Sequence, residues 1–559
     1  MYVRSKSFRN KDGSTRTYLQ LVKGERVGEK IRQRVVANLG RLEELKEGKL
    51  DELIEALARF SAREWIISRA KELKELEATS ARVWGPALVF RRLWEDLGLS
   101  GLMSRALDAT SIESDFEEAA FAMVLNRLCD PMSKLAMTEW MRDVYRPEWE
   151  GLELHHFYRA LDFLADHKDE IETGLYRRSA HLFNLDVDLV LWDTTTTYFQ
   201  GQACESLARY GFSKDKRPDR LQIMIGVMLT RDGFPMGHEV FPGDTSEVET
   251  FRVALDKAKR QFDLKRVILV ADRGMVSEEV LEEIDKAGLE YIVGVRMRKA
   301  KAAREVLSRA GRYSIVAENL QVKEVVHEGT RYIVCFNPVE AEHDRAAREA
   351  MVAALREKLS SGPSKSLIGN SGYRRYIKME GARLSIDEDA IKAEERYDGK
   401  YVLRTNAHLT PQDVATSYKS LWQVERAFRE LKSGLDLRPI YHYAEKRIRG
   451  HIMVCFLALV LEMALRRKLG AITDEAVSYD DLLHHLEQVK AVEINLDGKR
   501  YLARTELVGH ADLAFRALGT RPPLRVTELP RRHNDPGEEC CGTRESYATK
   551  PNDHKASQK

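Results

Sequence analysis

Long apolar runs are missing from this chain of 559 residues. The longest, Ile452 to Leu461, has ten residues, with His451 before it and Glu462 after it. A bilayer needs about 20 apolar residues in one helix, so this run is expected to be a buried helix and no membrane is expected as a partner. Cysteine is scarce too. The six cysteines, at positions 129, 204, 335, 455, 540 and 541, show neither CxxC nor Cys/His ligand spacing. That excludes a zinc-organised or disulfide-stapled scaffold and suggests a reduced cytosolic protein. The opening residues, MYVRSKSFRNKDGSTRTYLQ, are polar and lack the charged-then-apolar order of a signal segment, so a cytoplasmic location is expected. Net charge is also small, +2, and by itself does not announce a nucleic-acid binder.

The distribution of charge says more than its sum. Met1 to Arg41 carries eleven Lys/Arg against three Asp/Glu, a local excess of eight. Its pattern, TYLQLVKGERVGEKIRQRVVANLG, predicts short strands with a Gly-containing turn. Residues 1–44 therefore form a basic β-hairpin module, either nucleic-acid-binding or simply a solvated basic surface. Leu45 to Leu76 has helical spacing, and 45–184 continues as helices separated by GLSG and DPMS. From Leu185 the texture changes to strands. Val187 to Trp192 is the first, and Leu221 to Thr230 is joined by Arg231-Asp232-Gly233 to Phe234–Phe241 as a hairpin. Ser246 with Glu249 opens a helix toward Phe262. VILVAD (267–272) is a strand, Ser277 starts another helix, and Tyr291 to Val295 is a strand again. Residues 297–400 are mixed: a hairpin, LQVKEVVHEGTRYIVCF, a charged helix from about 340 to 359, and irregular strands. YVLRTN (401–406) is strand-like. Helices resume at Thr410, 471–519 is expected to be helical, and 520–559, rich in Pro, Arg, Asp, Glu and Ser, is expected to be disordered.

Asp193 and Asp272 both follow apolar strands, where side chains meet water and ligands. Capping is the plain alternative for Asp193, because Thr194 to Thr197 follow it. A third acid, Glu425, lies in SYKSLWQVERAFRELKSGL (417–435). Read as one helix, this segment puts Tyr418, Trp422, Glu425, Arg429 and Lys432 on one stripe. Val424, Phe428, Leu431 and Leu435 form the neighbouring apolar stripe, and Leu421 borders the two. Glu425 with Arg429 is also an ordinary i,i+4 surface pair.

These residues resemble the DDE transposases of bacterial insertion-sequence elements. The nearest branch by motif is the insertion-sequence-four-like group, marked by Tyr, two residues, Arg, three residues, Glu, six residues, Lys. Tyr418, Glu425 and Lys432 fall on that spacing, with Leu421 in place of the arginine. YGFSKDKRPDRLQ, GDTSEVETF, VADRGM, YDGKYVLRTN and LRPIYHYAEKRIRGHI are similar to the group as well, over roughly 185–470.

The resemblance implies an α/β fold. A ribonuclease-H-like catalytic core would span 185–296 and 401–470, with a mixed, mostly β insertion domain at 297–400 and helical regions on either side. It implies that Asp193, Asp272 and Glu425 are catalytic and hold two Mg²⁺ ions, with Mn²⁺ able to substitute. Phosphodiester chemistry needs such hard cations to activate water and neutralise the leaving oxygen. It implies that Tyr418 and Lys432 face DNA; with Leu421 at the arginine position, Arg429 on the same stripe is the cation expected to contact a phosphate instead. Lys214 and Arg217, in the loop after the first strand, are either solvated or steer DNA. The expected partners are double-stranded DNA, as element ends and as target, and a second copy of the chain on that DNA. End recognition is expected in 45–184, and location in a bacterial cytoplasm, at the nucleoid when bound. Two rivals differ in class. A haloacid-dehalogenase-type phosphatase needs a second acid where Thr195 stands. A transposase-derived DNA-binding protein without activity would keep the fold and lose the cutting.

Overall fold

The computed structural model describes residues 2–9, 15–27, 30–42, 76–108, 116–183, 189–201, 203–262, 268–272, 277–286, 288–360, 367, 370–380, 383–496 and 499–530. The expected helix Leu45–Leu76 falls almost wholly outside these residues, as do Cys540, Cys541 and the tail beyond 530. In chain order the strands are β1 (Tyr2–Arg9), β2 (Thr15–Val27), β3 (Lys30–Arg41), β4 (Leu76–Val83), β5 (Leu189–Tyr198) and β6 (Gln222–Thr230). Then come β7 (Pro235–Pro242), β8 (Ile268–Ala271), β9 (Glu290–Gly294), β10 (Ser314–Ala317), β11 (Leu320–His327) and β12 (Thr330–Phe336). The last are β13 (Ile377–Glu380), β14 (Arg383–Ile386), β15 (Lys400–Thr405), β16 (Lys490–Leu496), β17 (Lys499–Arg504) and β18 (Val526–Glu528).

The chain divides into two compact units. The first takes Met1–Arg82, Lys490–Glu506 and Pro523–Lys559. It holds two sheets, β1-β2-β3, antiparallel throughout, and β18-β17-β16-β4, in which β16, β17 and β18 are antiparallel. Four of these strands correct the sequence reading. β4 lies in a stretch expected to be helical, β16 and β17 lie in the expected C-terminal helical region, and β18 lies in the expected tail. The sequence of β16, KAVEINL, is short and rich in β-branched residues. Such runs are hard to tell from a helical turn by periodicity alone.

The second unit takes Val83–Val489 and Leu507–Pro522. At its centre is a sheet of nine strands in the order β10-β11-β12-β15-β9-β8-β5-β6-β7. β5, β8 and β9 run parallel, and the other pairs are antiparallel. The α/β class is thus present, with a mixed sheet. Both hairpin expectations hold: Gly233 has φ +79° after Asp232, and Glu328 and Gly329 turn β11 into β12 with φ of 49° and 75°. Left-handed conformations at both Glu328 and Gly329 are what a tight two-residue hairpin requires. The hairpin β11–β12 does not stand apart as an insertion. β12 pairs with β15, and β15 with β9, so the strands from 314 to 336 widen the central sheet. The charged helix is Pro338–Ser360.

Each face of the sheet is covered. Leu191, Ile225, Val227, Ile268, Val270, Ile292 and Leu403 point into the larger core, with Val424, Phe428 and the helix Glu445–Gly470. Val190, Trp192, Met228, Leu269 and Tyr291 point into the other, with Phe251, Ala254 and Ile284 from the helices Glu247–Arg260 and Glu278–Lys286. This alternation is what a sheet buried on both sides demands. The helix Glu445–Gly470 contains the apolar run, is long and apolar enough to cross a membrane, and is 94% buried over its most apolar window. It is the core helix the sequence suggested.

Candidate active site

Asp193 is not at a strand end. β5 continues through Thr194–Thr197 to Tyr198, and these threonines are buried and paired with Gly226–Ile223 of β6. Four consecutive β-branched residues favour an extended chain over the turn suggested by their polarity. The indole of Trp192, fully buried, lies across Gly226, where any Cβ would stand 2.1 Å from the ring. That glycine lets the strand carrying Asp193 lie flat on its neighbour.

The parallel register aligns the first two acids. Leu189, Val190 and Leu191 pair with Ile268, Leu269 and Val270. Two residues further along each strand come Asp193 and Asp272, side by side and on the face that Leu191 and Val270 share. That face carries the helix Trp422–Arg429, whose Val424, Ala427 and Phe428 are buried against it. Asp193, Asp272 and Glu425 consequently line one cleft of about 470 Å³, together with Tyr418, Leu421, Trp422, Gly294, Met297 and Tyr401. The three acids are not drawn tightly together. Among the described residues no group of three His, Cys, Asp or Glu side chains is close enough to hold a metal ion. Their chemistry nevertheless fits a hard divalent cation, since all three offer carboxylate oxygens to one cleft.

Each acid has its own surroundings. Asp193 accepts a hydrogen bond from the Thr194 amide at 2.6 Å and lies 3.6 Å from Lys214 Nζ. Burial pushes its carboxyl up from the usual range, and Asp272 and Glu247 add to this, while Lys214 and the Thr194 amide oppose it. Asp272 accepts a 2.8 Å hydrogen bond from the Tyr418 hydroxyl, and the Tyr418 ring stacks on Tyr401 at 5.8 Å. Glu425 is exposed on the cleft wall.

The expected single helix from Ser417 to Leu435 is three pieces. Pro411–Lys419 is one helix, capped by Thr410, and Trp422–Arg429 is the next. Between them the Ser420 amide is shared by the Thr416 and Ser417 carbonyls, and its hydroxyl bonds back to Thr416. Such local bonding by Ser and Thr competes with helix continuation. A π-turn, Glu430–Gly434, follows. One wider turn shifts every later residue around the axis, and Lys432 leaves the stripe of Glu425.

Lys432 instead donates to Asp215 Oδ1 at 2.6 Å, beside Arg438 at 2.5 Å. Asp215 is 3% exposed and Lys432 11%, so this is a largely buried cluster and not a free cationic face. Lys214 is also engaged within the protein. Its Nζ donates to the Thr194 carbonyl at 2.6 Å and pairs with Glu247 at 3.2 Å as well as with Asp193. Arg217 grips Asp219 through two hydrogen bonds and covers the Tyr198 ring. Arg429 is exposed and makes no ion pair among the described residues, so the expected pair with Glu425 is not formed. Leu421, at the family's arginine position, is half-buried against the core and lines the cleft. His451 is buried against His442 at 5.3 Å between ring centres, a packing contact. Arg273 and Gly274 lie outside the described residues. Two residues escaped sequence reasoning. Glu247 is hidden inside the capping box of Ser246 and Glu249, and Asp215 follows Lys214, which drew notice as a cation.

Residues 186–461 match the family model described as the transposase DDE domain, and residues 3–72 match that of the IS1634 family transposase, N-terminal domain. The second match corrects the expected branch: the N-terminal region matches the model of the IS1634 family, not the insertion-sequence-four-like group. A spacing of three residues across a broken helix is too little to assign a branch. No curated protein matches the chain. Among solved structures, one titled "Mos1 transposase paired-end complex with left transposon end" is 14% identical over 33% of this chain, with a TM-score of 0.14. The match spans 60% of that chain.

Proposed function

We propose that this chain, which carries a transposase DDE domain at 186–461 and an IS1634-type transposase N-terminal domain at 3–72, cuts DNA at the ends of an insertion-sequence element and joins them to target DNA. The observation that supports this reading is the shared cleft: Asp193 and Asp272 adjacent by strand register, and Glu425 opposite them on the helix wall. Asp193, Asp272 and Glu425 are the residues that would hold Mg²⁺, or Mn²⁺ in its place. Two such ions supply an activated water and neutralise the leaving oxygen of a phosphodiester. The chain's own groups prepare the site. Tyr418 orients the Asp272 carboxylate by its hydroxyl, and the Thr194 amide with Lys214 Nζ orients that of Asp193. Arg429, one turn beyond Glu425 and unpaired, is the cation available to a DNA phosphate. Hydrolysis frees a 3′ hydroxyl, and that oxygen then displaces the 3′ oxygen of a target phosphodiester. Pairing two ends requires a second copy of the chain on the DNA.

Asp193→Ala, Asp272→Ala and Glu425→Ala test this directly. Each should abolish Mg²⁺-dependent cleavage of duplex DNA bearing the element's ends while leaving binding largely intact, because affinity comes mainly from cations on phosphates. Wild-type cleavage by any one of the three variants overturns the assignment. A wild-type chain that binds the ends and never cuts them would favour the inactive, DNA-binding reading.

A further inference from the structure

The sheet β1-β2-β3 has one face built in rows. Antiparallel pairing sets Arg4 opposite Gln20 and Lys6 opposite Tyr18, with Phe8 opposite Arg16. On the other side of β2, Gln20 is opposite Asn38 and Tyr18 is opposite Arg41. Directly paired residues point to the same side of a sheet, so Arg4, Gln20 and Asn38 form one row across all three strands. Lys6, Tyr18 and Arg41 form the next, and Phe8 with Arg16 a third. The contacts agree with this: Arg4 donates to Gln20 Oε1 at 3.3 Å and Arg41 to the Tyr18 hydroxyl at 3.1 Å. Phe8 meets Tyr18 edge-on at 6.0 Å, and Lys6 stands over Phe8 at 5.1 Å. Among the described side chains of this sheet there is no carboxylate, whereas Lys6, Phe8, Arg16 and Asn38 are exposed.

We infer that this face enters the major groove of duplex DNA, with Arg4, Gln20 and Asn38 reading base edges. Lys6, Arg16 and Arg41 hold the flanking phosphates. The inference rests on the transposase reading for its DNA partner and assigns the sequence-reading element within it. Three strands at roughly 4.8 Å spacing span roughly 10 Å, within the roughly 12 Å width of the B-form groove. Arg pairs in bidentate fashion with guanine, and Gln and Asn with adenine, so the row Arg4-Gln20-Asn38 consists of the side-chain types with a base preference. Lys and Arg in the two rows beside it supply attraction without sequence. The register shifts of β3 between Leu19 and Gln20 and between Leu21 and Val22 bring Asn38 into the row and increase the twist with which a sheet follows a groove. A-form RNA offers no such groove to side chains.

Selection of bound duplexes from a random-sequence DNA pool by the full chain, followed by titration on the selected motif, tests this. The double variant Gln20→Ala/Asn38→Ala should lose base preference at part of the motif and bind it roughly tenfold or more weakly, with random-sequence binding retained. Lys6→Ala/Arg16→Ala should keep the motif, weaken all duplexes alike, and lower the log–log salt slope by about 0.9 per lost contact. Far-ultraviolet circular dichroism and the melting midpoint confirm that each variant is folded. An unchanged motif in the Gln20/Asn38 variant overturns the inference. So does a wild-type chain that selects no motif, or one that prefers the same duplex as RNA. Mg²⁺-dependent cleavage by the wild-type chain is scored separately, so failure of the catalytic reading is distinguishable from failure of this one.

Discussion

Asp215 is a residue outside the three acids whose removal should be felt strongly. Its carboxylate is 3% exposed and faces two cations, Lys432 at 2.6 Å and Arg438 at 2.5 Å. Removing the acid leaves Lys432, 11% exposed, and Arg438, 33% exposed, uncompensated; breaking a fully buried pair in that way costs about 3–5 kcal/mol, and solvent at Arg438 brings the cost to the lower end of that range. Removing Lys432 is different, because Asp215 keeps Arg438. What is lost is one charged hydrogen bond, about 1.5–3 kcal/mol. Asp215→Ala should therefore lower stability by more than Lys432→Ala. The double variant Asp215→Ala/Lys432→Ala should be less than additive, since each change removes the same contact. Urea unfolding of the full chain, followed by tryptophan fluorescence, measures the three differences, and limited proteolysis of the loop from 203 to 221 reports whether it has come loose. The refuting result is specific. If Lys432→Ala leaves stability unchanged, yet weakens DNA binding and lowers the salt slope by about 0.9, Lys432 serves a phosphate and not Asp215.

Three further outcomes are expected. Lys214 competes with any cation for Asp193. Their separation of 3.6 Å corresponds to about 4.6 kcal/mol of gross attraction at an effective dielectric of 20, of which about 1 kcal/mol survives as net; calorimetry should show Lys214→Met binding Mn²⁺ roughly fivefold more tightly, and equal affinity would count against the contact. Arg429→Ala should slow strand transfer about tenfold, ~1.4 kcal/mol of barrier, without altering the melting midpoint; an unimpaired rate removes Arg429 from the site. Burial lowers the Lys134 ammonium to about 7, whereas the unfolded chain keeps the ordinary value of 10.5. Between those values the unfolded state binds the extra proton, so stability should rise with pH from about 7 to about 10, by at most about 1.4 kcal/mol per unit. Unfolding curves at pH 7 and 9 should show this gain in the wild-type chain and its loss in Lys134→Met; parallel behaviour of the two would refute it.

Much of the local structure was legible from the residues alone. Asp232-Gly233 and Glu328-Gly329 turn because glycine tolerates positive φ, and Ser246 and Thr410 start helices because their hydroxyls accept from the amide three residues on. Ile452–Leu461 is buried because nothing in it prefers water. The acids Asp193, Asp272 and Glu425 could be singled out, since each follows or borders an apolar element. All of these signals act within about four residues of chain. The partners were not legible. Lys432 and Asp215 are 217 residues apart, and two lysines beside Asp215 look the same in sequence whether it is solvated or buried. Lys214 looked like a cation for DNA until β5 and the helix Glu247–Arg260 brought Asp193 and Glu247 to it. The break at Ser420 came from side-chain bonding that outweighed a helical period. The hairpin β11–β12 joined the central sheet because β15 offered it an unpaired edge. Composition and spacing decide which elements form. Which charge meets which, and which strand lies beside which, was decided by contacts between distant residues that form only when both faces of the sheet are buried together.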